Sequence, residues 1–136
     1  MIQSEKDYIK RIVDQLALFL AKALKLSQEG KHMEALETIS INIEKVSDLK
    51  KAEIDAFSAR ELLEVMISKG FFLEQVNAVA ELLLYEVQIK EEMTGKSDRV
   101  KLEKILKLIE YIDQQEKSTY SFDRQFKIEE IRRKLR

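Results

Sequence analysis

The stretch FFLEQVNAVAELLLYEVQIKEEMTG, residues 71–95, decides how the rest of the chain is read. It holds no helix breaker before Gly95, and its apolar residues fall on two separate faces. At about 100° per residue, Phe72, Val76, Val79, Ala80, Leu83 and Val87 form one stripe, while Phe71, Ala78, Leu82, Tyr85 and Ile89 form another. A helix with two apolar stripes has to touch two neighbours, because exposed apolar patches of several hundred Å² are rare on soluble proteins. Both neighbours can belong to the same chain, as layered helical hairpins require, or the second stripe can face another subunit or a partner helix.

Working outward, the flanking sequence is as helical in composition as this stretch. The 136 residues include no Pro, no Cys, no Trp and only 3 Gly, and they are rich in the helix formers Leu, Glu, Lys, Ala and Ile. A chain of this length is one domain, 1–136, able to bury a core without disulfides or a structural metal. Upstream, Ser58-Ala59-Arg60-Glu61 has the spacing of a capping box and predicts a helix running to about Ser68, stopped by Gly70. Downstream, Gly95 closes the helix over about 72–93, and Ser97 is placed to cap another over about 98–116. Ser118-Thr119-Tyr120-Ser121 then interrupts the pattern, and Ser121 can cap a last helix from Phe122 to about Leu135.

Toward the N-terminus, Ser4 with Asp7 marks the start of a helix over about 5–29 that Gly30 ends. Met33, Leu36, Ile39, Ile43 and Val46 recur at helical spacing and predict a second helix over about 32–46. The Gly30-Lys31 connection is so short that the two must form an antiparallel hairpin. Residues 47–59 are less regular, with Ile54 and Phe57 as anchors for a short helix. The expected fold is therefore all-α: two antiparallel helical hairpins, a short connecting helical segment and a C-terminal helix. Ile9, Val13 and Leu16 also fall on Phe72, Val76 and Val79, and Leu36, Ile39 and Ile43 on Leu102, Ile105 and Ile109, the pattern of an internal duplication.

Gly30-Lys31-His32-Met33-Glu34-Ala35-Leu36, followed by Ile39, resembles the second helix of a tetratricopeptide repeat. In that pattern the small Ala lets paired helices approach closely. Phe19, Ala23 and Leu26 suit the first helix, whereas Lys22 stands at an apolar position, Asn42 at a small one, and the closing proline is missing. The block from Asp7-Tyr8-Ile9-Lys10-Arg11-Ile12 through Leu20-Ala21 to Gly30 also resembles small bacterial proteins of an uncharacterised, tetratricopeptide-like helical family. That likeness implies a fold and no activity.

Chemistry-bearing groups are scarce. His32 is the one histidine and there is no cysteine, so Cys-His catalysis and multi-histidine zinc sites are excluded, and His32 reads as an exposed residue beside a helix start. Glu91-Glu92 and Glu129-Glu130 read as solvated surface, Glu-x-x-His occurs once, from Glu29 to His32 across the Gly30 turn, where a helical di-iron site needs it on two helices, and isolated glycines make no phosphate-cradling loop. No catalytic, cofactor-binding or metal-ligating residue is expected. The apolar run from Leu16 to Ala21 reaches Leu24 only across Lys22, short of the ~20 residues a membrane span needs. With 24 basic against 25 acidic residues the chain has no global attraction for nucleic acid, and a cytoplasmic protein without membrane contact is expected.

These features point to a non-catalytic interaction or scaffold module that binds a protein partner, or itself, through apolar helix faces. The candidate surface comprises Phe71, Leu82, Tyr85 and Ile89 on the second stripe, with Leu18 among Arg11, Gln15 and Lys22 on the first helix. The alternative is a nucleic-acid-associated regulator using the basic run Arg132-Arg133-Lys134 and Arg136.

Overall fold

Residue Gly30 shows how the chain is cut into helices. Its φ is +81°, a left-handed value that glycine adopts without a Cβ penalty and that ends a helix within one residue. The structure, a computed structural model, describes the backbone of residues 5–116 and 121–136 and the side chains of residues 7–116 and 121–136. Among the described residues there are seven helices and no strand: α1 (Glu5–Gln28), α2 (His32–Ser47), α3 (Lys51–Ala56), α4 (Ala59–Ser68), α5 (Leu73–Thr94), α6 (Arg99–Gln115) and α7 (Phe122–Leu135). The expected Ser4 cap and residues 118–120 of the predicted interruption lie outside the described residues.

Local chemistry accounts for most of these boundaries. At α4 the capping box is complete: Glu61 N–H donates to Ser58 Oγ (3.1 Å), and Ser58 N–H donates to Glu61 Oε1 (3.0 Å). Ser121 Oγ accepts from Arg124 N–H at the start of α7 (3.2 Å). One cap differs from expectation. Asp98, not Ser97, begins α6, its carboxylate accepting from Lys101 N–H (3.0 Å), and its negative charge suits the positive end of the helix dipole.

Each helix then leans on the next. α1 lies along α2, α2 against α5, α5 against α6, and α6 against both α7 and α4, while α1 also reaches α5. Helix α5 is consequently central, and both of its apolar stripes are inside the chain. Leu82 is 0% exposed and Ile89 2% exposed. These two residues are therefore core and offer no free interaction surface. The reason is that α5 has neighbours within the chain on more than one side. Phe71 is half-buried and packed on the same core, as is Tyr85.

Two substitutions test this description. Gly30→Val should lower stability by ~1 kcal/mol or more, because no atom lies within 4 Å of where a Cβ would stand and the cost is one of backbone conformation. Gly30→Asn, which tolerates the left-handed region, should cost less; equal urea midpoints for Val and wild type would place the end of α1 elsewhere. Leu82→Asp with Ile89→Asp should abolish the cooperative thermal transition of the monomer, since buried charge and lost packing together cost several kcal/mol.

Candidate functional site

The strongest concentration of buried charge lies where α3, α5 and α6 meet. Glu86 lies between the two apolar stripes of α5 and is 5% exposed, and Lys101 of α6, 5% exposed, donates directly to its Oε1. Lys51 Nζ reaches Glu86 Oε2 (2.7 Å) and Asp55 (2.7 Å), and Lys101 Nζ is 3.2 Å from Asp55. Burial alone would lower the Lys101 ammonium, but its hydrogen bond to Glu86 and the charges of Glu86 and Asp55 hold it above the ordinary lysine range. Burial alone would raise Asp55, and the hydrogen bond from Lys51 with the charge of Lys101 carries it below the ordinary aspartate range instead.

Lys104 completes the group, and it is the one member whose ammonium is pushed down, first by burial and then by Lys101 and Lys51 against the pull of Asp55. A depressed lysine is the kind that can act as a nucleophile. Here its three donors face the end of a helix: Nζ donates to Ile54 O (3.2 Å) and Asp55 O (3.0 Å). Those are carbonyls of the last turn of α3, which lack intrahelical partners, so Lys104 acts as a cationic C-terminal cap. Six residues are too few for a helix to persist alone. The charge cluster and buried Ile54 hold α3 in place.

A second polar group surrounds the histidine. His32 is half-buried rather than exposed, with Nδ1 3.0 Å from Ser27 Oγ, and Ser27 donates to Glu92 Oε2 (3.0 Å). With its hydroxyl directed at Glu92, Ser27 accepts from the imidazole, the reverse of the arrangement in which a histidine base receives a serine proton. The group ties the α1–α2 turn to the end of α5. Glu92 is exposed as expected and accepts this hydrogen bond, while half-buried Glu91 pairs with Lys134 (3.1 Å).

A large cavity, about 520 Å³, opens between the start of α1, the end of α2 and the α4–α5 turn. Its internal polar groups are already engaged in the fold. Ser47 Oγ donates to Ile43 O (2.6 Å), Gln75 Nε2 donates to Val46 O (2.8 Å), and Gln75 Oε1 accepts from Phe72 N–H (3.3 Å). Among the described residues no buried side-chain nitrogen or oxygen lacks a partner. Nothing buried there is left to recognise a ligand.

A different surface runs down the uncovered side of α5. Leu73, Asn77, Glu81, Leu84, Tyr85 and Gln88 recur at three- and four-residue spacing, and all stay at least partly exposed. Helix α7 leans on α6 and reaches α5 through the pairs Lys127–Glu81 (3.3 Å) and Lys134–Glu91 (3.1 Å), leaving a furrow between them. Three hollows of about 160, 250 and 220 Å³ follow one another along it, the first two sharing Val13 and Glu74 and the last two sharing Asp123. Val13 forms the α1 wall and Phe126, 64% exposed, the α7 wall.

The furrow is acidic. Asp14, Glu74, Glu81, Glu116, Asp123 and Glu130 line it against Lys10, Arg124 and Lys127, in a chain that as a whole carries 25 acidic and 24 basic residues. Two of those cations are shared between carboxylates: Arg124 between Asp113 (3.4 Å) and Glu116 (3.0 Å), and Lys127 between Glu81 (3.3 Å) and Asp123 (3.0 Å). Asp14, Glu74 and Glu130 form no ion pair among the described residues.

Of the sequence-predicted surface, only Tyr85 joins this furrow. Leu82 and Ile89 are core, and Phe71 borders the large cavity. Arg11, Gln15, Leu18 and Lys22 are exposed on α1 as expected, Leu18 at 74%. The basic C-terminal run is partly neutralised, Arg132 by Glu110 (3.1 Å) and Lys134 by Glu91 (3.1 Å). Among the described residues no group of three or more His, Cys, Asp or Glu could hold a metal ion, and no helix is long and apolar enough to cross a membrane. Comparison with protein-family models, curated proteins and solved structures gives no match.

The charge cluster makes two predictions. Glu86→Ala should cost about 3 kcal/mol by urea denaturation, since it strands Lys101 in the interior, and Glu86→Leu combined with Lys101→Met should recover much of that loss. Because Asp55 is held below its unfolded value, its contribution is present at neutral pH and is lost as pH falls below about 4. Asp55→Asn should therefore be less stable than wild type at pH 7, with the gap closing in acid; a gap that is constant with pH would contradict this assignment.

Proposed function

We propose that this chain is a non-catalytic helical module that binds a protein partner in the furrow bounded by α1, α5 and α7. One observation carries the reading: α5, the most enclosed helix of the fold, leaves one stripe partly exposed, bridged from α7 only at Glu81 among its members, and that stripe mixes apolar with amide and carboxylate side chains. Such a mixture, rimmed by an exposed aromatic, is the composition of a recognition surface. The order of packing supports a tetratricopeptide-like arrangement, in which α1–α2 and α5–α6 are successive hairpins, α3 and α4 are inserted between them, and α7 begins a third layer. In that arrangement the furrow is the face formed by the first helix of each hairpin. A cytoplasmic, non-enzymatic role belongs to the same proposal, the non-enzymatic part supported by polar clusters that are engaged in holding helices together.

The test compares partner capture from the source cell by wild type and by surface variants, with circular dichroism and melting as fold controls. Phe126→Ala with Gln88→Arg changes exposed groups only and should leave the melting midpoint within a few degrees while removing specifically co-purified protein. Leu18→Ala, exposed on α1 one turn beyond Asp14 and outside the furrow lining, should retain it. Capture that survives the furrow variant, or that depends on Leu18, would contradict the proposal.

A further inference from the structure

We infer that the occupant of the furrow is a cationic amphipathic helix contributed by a different protein, an inference that rests on the furrow being the binding surface and adds the chemistry of what fills it. The shape comes first. From Leu73 to Gln88 the open stripe is roughly 22 Å long at the α-helical rise, enough for a helix of about four turns. The walls are helices whose backbone groups are bonded internally, so they offer no free strand edge for an extended peptide to pair with. A helix brings its own backbone hydrogen bonds and needs only side-chain contact. Val13, Leu73, Leu84 and Phe126 supply apolar contacts along the groove for residues spaced three and four apart on such a ligand.

Charge then selects among helices. The carboxylates of Asp14, Glu74 and Glu130 form no ion pair among the described residues, Asp14 and Glu74 standing at one end of the furrow and Glu130 at the other. Lys127 and Arg124 are each neutralised by two carboxylates, so neither offers free positive charge to an acidic ligand. A helix with lysines or arginines flanking its apolar stripe would meet these acids at the rim, where complementary charge fixes register and accelerates association. An acidic helix or a nucleic acid would meet an excess of like charge, Lys10 at one end being the one lining cation without an ion pair among the described residues.

Fluorescence anisotropy with two designed peptides of about 16 residues tests this against the full chain. One carries a leucine stripe flanked by lysine, the other the same stripe flanked by glutamate. The lysine peptide should bind with an affinity that falls as salt is raised, and the variant Asp14→Lys, Glu74→Lys, Glu130→Lys should weaken it by about tenfold or more. The milder variant Asp14→Asn, Glu74→Gln, Glu130→Gln should give an intermediate loss, which keeps the test open if charge reversal perturbs folding. Equal binding of both peptides, weakened by Phe126→Ala, would overturn the cationic assignment while leaving the furrow as a binding surface. Failure of the lysine peptide to bind would also overturn it, and partner capture by the Phe126→Ala, Gln88→Arg pair would then show whether the furrow reading falls too. Self-association in sedimentation that the charge-reversed variant abolishes would make the occupant a second copy of this chain and refute the inference.

Discussion

Helix α5 is enclosed by neighbours around more than half its circumference, and the other helices are arranged to complete that enclosure. Val76, Val79, Leu82, Leu83, Val87 and Ile89 are all essentially removed from water. At about 1.5–3 kcal/mol for each large aliphatic side chain, this one helix contributes on the order of 10 kcal/mol of hydrophobic stabilisation, comparable to the whole net stability of a small domain. Helices α1, α2 and α6 pack on α5 directly, α4 packs on α6, and α7 packs on α6 while reaching α5 through Lys127 and Lys134. Without α5 the α1–α2 pair and the α4–α6–α7 group would lose the helix on which both pack.

Enclosure on that scale traps polar groups that fall between the two stripes, and the fold depends on satisfying them. Gln75 and Glu86 both stand there. Gln75 closes the end of α2 by donating to Val46 O, and Glu86 draws Lys101 and Lys51 inward. A buried ion pair gives little net stability over a well-packed apolar pair, but it penalises arrangements that separate the charges. Here the penalty acts on the position of α3, whose few residues would not otherwise hold a helical conformation. The connecting segment is thus placed by charge, while the hairpins are placed by apolar contact.

The division between these two kinds of contact explains what the sequence disclosed. Helix ends were legible because their causes are local: Gly30, Gly70 and Gly95 take left-handed backbone, and Ser58 and Ser121 cap with their own hydroxyls. The stripes of α5 were legible because periodicity is local too. Short α3 was only partly legible, since its last-turn carbonyls are capped by Lys104 of α6, far along the chain. The burial of Glu86 and Lys101 escaped notice for the same reason, although a glutamate between two apolar stripes was the available signal. The furrow was missed because apolar periodicity marks what will be buried. Leu82 and Ile89 fit that rule and became core, whereas Leu73, Asn77, Leu84 and Gln88 form a mixed stripe that no simple periodicity singles out.

A central helix with one side left open combines a rigid support with a presented surface, and rigidity limits the ordering cost of binding. The account therefore places recognition on α5 itself. Photo-crosslinking in the source cell tests this most directly, with a benzophenone amino acid placed singly at Gln88 in the furrow, at Met33 on α2 and at Val100 on α6, all exposed positions. A discrete adduct from Gln88, with none from Met33 or Val100, is the result the account predicts. Adducts that form from Met33 or Val100 but not from Gln88 would contradict it.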